Sequence, residues 1–176
     1  MPEKDVTPLA WKIELLLMDV DGVLTDGTLY FSEHGEAMKG FNVRDGHGLK
    51  LLAEAGVEVG LLSSRSSEIV RLRARELGIA LVQQGEGDKR AAWRALLSAR
   101  QLGPDESGYM GDDLLDLGVM AECGFSATVP EAPGAVRERA HYVARSGGGR
   151  GAAREVCEFI LSARGALEEA VRRHLA

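Results

Sequence analysis

The stretch 15-LLLMDVDGVLTDG-27 decides how the rest of the chain is read. Leu15, Leu16, Leu17 and Met18 form an unbroken apolar run, the pattern of a strand buried on both faces in a parallel sheet. Asp19 and Asp21 follow at once, one residue apart, and then Gly22, Thr25 and Asp26. Two carboxylates at the end of a buried strand repel each other and resist desolvation unless positive charge meets them. The sequence therefore calls for a cation, and for further residues that share it.

Outward from that strand, apolar runs alternate with segments of helical period. The pattern predicts strands at 13–20, 57–63, 79–83, 108–111, 125–128 and 141–144. It predicts helices at 46–55, 66–77, 89–102, 114–123, 132–139 and 152–163, the last resuming to 173. This order implies an α/β fold, a parallel sheet between helices, and 176 residues suit one domain over 1–176. The segment 27-GTLYFSEHGEAMKGF-41 breaks the alternation and reads as a β-hairpin over about 27–42, with strands at 28–31 and 37–41. The run 145-RSGGGRGA-152 reads as the most flexible stretch. Arg150 within it belongs either to an anion-binding turn before a helix or to a plain connection. The tail at about 164–176 is either a docking segment for a neighbouring site or a fraying helix end.

The net charge of −6 argues against nucleic acid or an anionic membrane surface as the main partner. A few placed cations would still accept a small anion. The opening MPEKDVTPLAWK lacks the apolar stretch of a secretory leader, and no segment is long enough to span a bilayer, so a cytoplasmic protein with no membrane partner is expected. Cys123 and Cys157 suggest neither a disulfide framework nor a cysteine zinc site.

In an open α/β sheet, ligands gather at the carboxyl ends of the strands. The first strand delivers Asp19 and Asp21, and the second ends in Ser63, Ser64 and Arg65. The third is followed by QGEGDK, which puts Lys89 at a helix start. The fourth ends in Gly111, Asp112 and Asp113, with Asp116 a helical turn further on. Asp113 and Asp116 also fit a plainer reading, as acids favoured in the first turn of a helix. The set as a whole suits phosphoryl transfer assisted by Mg2+, which takes oxygen ligands and keeps several waters. Asp19 and Asp112 would clamp the ion, and a carboxylate so placed attacks phosphorus. Lys89 and the Ser63 hydroxyl would hold phosphate oxygens, and Asp21 would move the proton.

DVDGVLTD at 19–26, a small hydroxyl after the second strand, Lys89, and GDD at 111–113 resemble, in order, the four motifs of the haloacid-dehalogenase (HAD) phosphatases. The resemblance implies a Rossmann-like parallel sheet flanked by helices, with Asp19 as nucleophile and Asp21 as general acid and base. It implies Ser63 and Lys89 as phosphate ligands, and Mg2+ held by Asp19, Asp112 and the Asp21 backbone carbonyl, with Asp113 behind. DGTLYFSEHGEAMKGFNVRDGHGLKLL, GYMGDDLLDLGVM and GGGRGAAREVCEFIL are more narrowly similar to the 3-deoxy-D-manno-octulosonate (KDO) 8-phosphate phosphatases. Those enzymes are small, capless tetramers of lipopolysaccharide precursor synthesis. That likeness implies a sugar-phosphate site lined by Asn42, Val43, Arg44, Asp45, Gly46, Lys50, Arg65, Arg73 and Lys89. The chain departs from the family at Ser63-Ser64-Arg65, where Thr-Gly-Arg is usual.

Spacing argues against a cap. Asp26 and Ser63 are separated by 36 residues, already filled by the hairpin, a helix and a strand, and Lys89 and Asp112 by 22, filled by a helix and a strand. A site left open implies cover by neighbouring copies, with a homotetramer as the expectation. Alternatives with the same chemistry are a nonulosonate 9-phosphate or an aryl phosphate as substrate, with service as a subunit of a carboxylase complex a further one. A non-catalytic phospho-acceptor domain is the alternative from a different class.

Overall fold

The computed structural model of the chain describes residues 5–175, so the outermost residues of the expected 1–176 domain and of its tail lie outside the described residues. Strands β1 (Leu15–Met18), β4 (Glu58–Ser63), β5 (Leu81–Gln84), β6 (Ser107–Met110), β7 (Phe125–Thr128) and β8 (Tyr142–Val143) form one sheet in the order β5-β4-β1-β6-β7-β8. Every neighbouring pair in it is parallel. A small antiparallel hairpin, β2 (Tyr30–Ser32) and β3 (Gly35–Met38), stands apart from it. The helices are α1 (Thr7–Trp11), α2 (Val43–Glu54), α3 (Glu68–Leu77), α4 (Lys89–Arg100), α5 (Leu117–Met120), α6 (Gly134–Arg137), α7 (Ala152–Ala163) and α8 (Leu167–Arg173). Helix α7 packs on α1 and α2, while α4 packs on α5, so the sheet is flanked by helices.

The opening stretch behaves as its pattern demands. Leu15 through Met18 are fully buried between β4 and β6, and each such side chain contributes about 1.5–3 kcal/mol of transfer free energy. Since β1 sits between a strand that follows it and one reached by a long return, the chain reverses direction beside it. Ligands bind at such a point in open α/β sheets.

Several elements differ from expectation, each for a local reason. Helix α2 starts at Val43 rather than 46, because Asn42 is extended and its side chain accepts the backbone N–H of Arg44 at 2.8 Å. The expected helix at 114–123 splits into a 3-10 turn, Leu114–Asp116, and the short α5, because the Asp116 side chain turns back onto preceding backbone N–H groups. The hairpin is shorter than expected, with β3 ending at Met38, where Lys39 turns inward. Helix α1, with a proline in its first turn, was not anticipated.

The run 145–152 packs against the loop after β1. The Gly149 N–H donates to the Val23 carbonyl at 2.9 Å, and Gly149 has φ +62°. A Cβ there would stand 2.6 Å from the Asp26 nitrogen, and one on Gly148 would overlap the Gly22 carbonyl. The glycines let this loop lie flat against the acidic loop after β1. As for the tail, α8 buries Ala170, and the His174 ring meets His47 of α2 edge-on at 5.3 Å, so it packs on its own chain.

Candidate active site

Parallel pairing sets the carboxyl ends of β4, β1 and β6 side by side. The Asp19 N–H extends the ladder to the Met110 carbonyl at 2.9 Å, which brings Asp19 beside Gly111 and Asp112. After Asp19 the chain coils tightly. The Val20 carbonyl accepts from Val23, Leu24 and Thr25, and the buried Thr25 hydroxyl accepts the N–H groups of Gly22 and Gly27. Gly22 has φ +90°, and a Cβ on it would overlap the Asp112 carboxylate. Glycine here is what lets Asp112 approach the nucleophile loop.

Asp19, Asp21, Ser63, Ser64, Arg65, Lys89, Asp112 and Asp113 line one pocket of about 170 Å³ together with Asp116. These are the residues read from the strand ends, and the fold brings them together. Ser63 is buried, and its hydroxyl accepts the Arg65 N–H at 3.2 Å. Lys89 is buried with its ammonium 3.0 Å from Asp19 and 2.7 Å from Asp116. Burial alone would pull its pKa down, but the two acids prevail and raise it, so it stays charged.

Asp116, left open by the sequence, is fully buried. Its Oδ1 accepts from Lys89 and from the Tyr109 hydroxyl at 2.6 Å, and its Oδ2 accepts the N–H groups of Asp112 at 2.9 Å and Asp113 at 3.1 Å. Asp19, Asp112 and Asp116 can bring oxygens within 4.8 Å of one another, a spacing suited to a metal ion. Because both oxygens of Asp116 are already committed, Asp19 and Asp112 are the carboxylates left to face a cation. Burial, reinforced by Asp116, raises the Asp19 pKa to about 6. Burial, reinforced by Asp19, raises that of Asp112 to about 7. Lys89 alone does not neutralise this cluster. An all-oxygen donor set short of positive charge fits Mg2+.

Two residues missed in the sequence belong to the same site. Lys39, just beyond β3, buries its ammonium between Asp21 at 2.5 Å and Glu36 at 2.9 Å. A lysine in a polar hairpin has the local pattern of a solvated edge residue, so only the i, i+3 spacing of Glu36 and Lys39 hinted at a pair. The residues expected from 42–46, Lys50 and Arg73 do not line the pocket. Asn42 caps α2, Val43, Arg44 and Lys50 are exposed, and Gly46 packs against the Arg73 guanidinium. Arg73 donates to the Asn42 carbonyl at 3.4 Å and to Glu76 at 2.9 Å. Asp45 is buried and accepts the N–H groups of Gly151 at 3.1 Å and Arg154 at 2.8 Å. The anion at the start of α7 is thus Asp45 of the same chain.

A buried acid at the end of the central strand, a lysine against it, a hydroxyl on one neighbouring strand and an acid on the other define the HAD class of phosphatases. No family model matches the chain. The KDO 8-phosphate phosphatase KdsC of Yersinia pestis is 45% identical over 166 residues, covering 94% of this chain and 89% of that protein. The structure of a probable YrbI-family phosphatase from Pseudomonas syringae pv. phaseolica superposes with a TM-score of 0.95 at 46% identity, covering 98% of each chain. The KDO 8-phosphate phosphatase of Moraxella catarrhalis, solved with magnesium, phosphate and KDO, superposes with a TM-score of 0.94 at 37% identity, covering 97% of this chain and 98% of that one. The chain belongs to the KDO 8-phosphate phosphatase family.

Proposed function

We propose that this chain hydrolyses the phosphate ester of KDO 8-phosphate to KDO and inorganic phosphate, in the cytoplasm and with Mg2+. The observation that carries the reading is the buried Asp19–Lys89 pair sharing one pocket with Ser63 and Asp112. Asp19, Asp112 and the Asp21 backbone carbonyl would hold the ion, with Asp113 behind them. When bound, the ion supplies the positive charge that lets clustered carboxylates and a phosphate share a site.

The Asp19 carboxylate attacks phosphorus, and the sugar oxygen leaves with a proton from Asp21. Water then attacks the aspartyl-phosphate, gives its proton to Asp21, and phosphate departs while Asp19 is restored. Lys89 and the Ser63 hydroxyl hold phosphate oxygens through both steps. Arg65, half exposed at the pocket rim, would pair with the substrate carboxylate through a charge-assisted contact. Asn42, Asp45, Gly46 and Arg73 act through the fold contacts described above.

The active form in this reading is a homo-oligomer, a tetramer. Leu29, Tyr30, Phe31 and Met38 expose apolar surface on the hairpin, and Leu114 and Leu115 do so near the pocket mouth. The test of the chemistry is phosphate release from KDO 8-phosphate with Mg2+ by wild type and Asp19→Asn. Turnover should vanish in the variant while its melting temperature holds, and wild-type kcat in Asp19→Asn would remove Asp19 as nucleophile.

A further inference from the structure

Lys39 is the point at which the hairpin enters the site. Its side chain is 1% exposed, and an ammonium so buried persists only with anionic partners. Those partners are Asp21 Oδ1 and Glu36 Oε1, at 2.5 and 2.9 Å. Arg65 approaches the same two acids from the other side, Nε 3.6 Å from Asp21 Oδ2 and Nη2 3.7 Å from Glu36 Oε1. The second Glu36 oxygen accepts the Ser67 hydroxyl, just before α3. Four charged side chains from three places, the loop after β1, the hairpin and the loop after β4, thus close into one cluster at the pocket rim.

The two cations differ in freedom. Arg65 is 44% exposed and contacts Asp21 only at ion-pair range, so it can swing toward a ligand. Lys39 is enclosed and hydrogen-bonds Asp21 directly. Asp19 is fixed by Lys89, and Asp112 follows a backbone anchored on Asp116, but nothing in the loop after β1 dictates where the Asp21 carboxylate points. We propose that Lys39 is a positioning residue that aims Asp21 for proton transfer, with Glu36 as the counter-charge that seats Lys39 and keeps Arg65 at the rim. This rests on the reading of Asp21 as general acid and base. The hairpin then belongs to the catalytic apparatus of its own chain. Without Lys39, Asp21 would collapse onto Arg65, displacing the proton donor.

The test compares Lys39→Met, Lys39→Arg and Asp21→Asn with wild type, all with Mg2+, on KDO 8-phosphate and on p-nitrophenyl phosphate. Lys39→Met should lower kcat on the sugar phosphate roughly tenfold or more while KM moves by less than about threefold, the signature of an interaction that matters in the transition state. In single turnover, enzyme phosphorylation by p-nitrophenyl phosphate should fall much less, because nitrophenolate leaves without a proton. Lys39→Arg should recover part of the lost kcat. Wild-type kcat in Lys39→Met, or equal losses of phosphorylation rate on the two substrates, would overturn the proposal. Should Lys39→Met fail to fold, Lys39→Gln is judged by the same two criteria. Wild-type turnover in Asp21→Asn would instead remove the acid–base reading itself. An inactive Asp21→Asn beside a fully active Lys39→Met would remove the role of Lys39 alone.

Discussion

Replacing Asp116 by asparagine changes one oxygen to an amide nitrogen in a residue that accepts four hydrogen bonds and is fully buried. The remaining oxygen can keep Lys89 and Tyr109. The new NH2 then faces the N–H groups of Asp112 and Asp113, donor against donor. A buried donor left unpaired costs about 1–3 kcal/mol, and Asp113 lies near enough to solvent to recover part of its share, so a loss of about 2–4 kcal/mol follows. For a chain of this size each kcal/mol lowers the melting temperature by about 2–4 °C, which gives a fall of roughly 5–15 °C. The Asp112 carboxylate loses its backbone anchor at the same time, so kcat should fall about tenfold or more when assayed well below the melting point. The assay is a thermal melt paired with steady-state phosphate release. A melting temperature within about 2 °C of wild type together with unchanged kcat would refute the role given to Asp116.

Gly22→Ala should abolish turnover and weaken Mg2+ binding measured by calorimetry, since its Cβ would displace Asp112 from a residue already at φ +90°. Retained Mg2+ affinity would contradict that packing. For the metal-free protein, burial and crowding raise the pKa of Asp19 to about 6 and of Asp112 to about 7, from 3.8 in the free residue. The folded state therefore keeps protons that the unfolded chain has released, and stability should fall as pH rises from about 5 to 7, above the range in which the carboxylates held below their ordinary pKa titrate. Each group contributes at most about 1.4 kcal/mol per pH unit. Melts in EDTA should show this fall, Mg2+ should offset it near neutrality, and Asp112→Asn should flatten it; a metal-free protein that gains stability from pH 5 to 7 would contradict the cluster's electrostatics. Light scattering should give an oligomeric mass at micromolar concentration, and a monomer there would remove the hairpin as an assembly surface.

Much of the site was legible because it depends on position along a strand. An apolar run places β1 in the middle of the sheet, and whatever follows the run must emerge at its carboxyl edge. Asp19, Asp21, Ser63, Arg65, Lys89, Asp112 and Asp113 all emerge there. What stayed hidden depends on long-range partners. The resemblance places Asp45 at the sugar-phosphate site, and only contact with Gly151, 106 residues away, shows that it caps α7. Lys39 has the sequence context of a solvated hairpin lysine until the hairpin folds over Asp21. The glycines at 147–149 look like a flexible linker, yet they are what lets one backbone touch another. Local pattern carries backbone geometry well, whereas a buried charge is explained only by the residue it meets.

The most direct test is a comparison of kcat/KM across phosphorylated keto-sugar acids and p-nitrophenyl phosphate, with Mg2+ and again after exhaustive EDTA treatment. The expected result is a kcat/KM for KDO 8-phosphate that exceeds every other substrate by about tenfold or more and disappears in EDTA. A nonulosonate 9-phosphate or an aryl phosphate turned over as well or better, or full turnover of KDO 8-phosphate without a metal ion, would contradict the assignment.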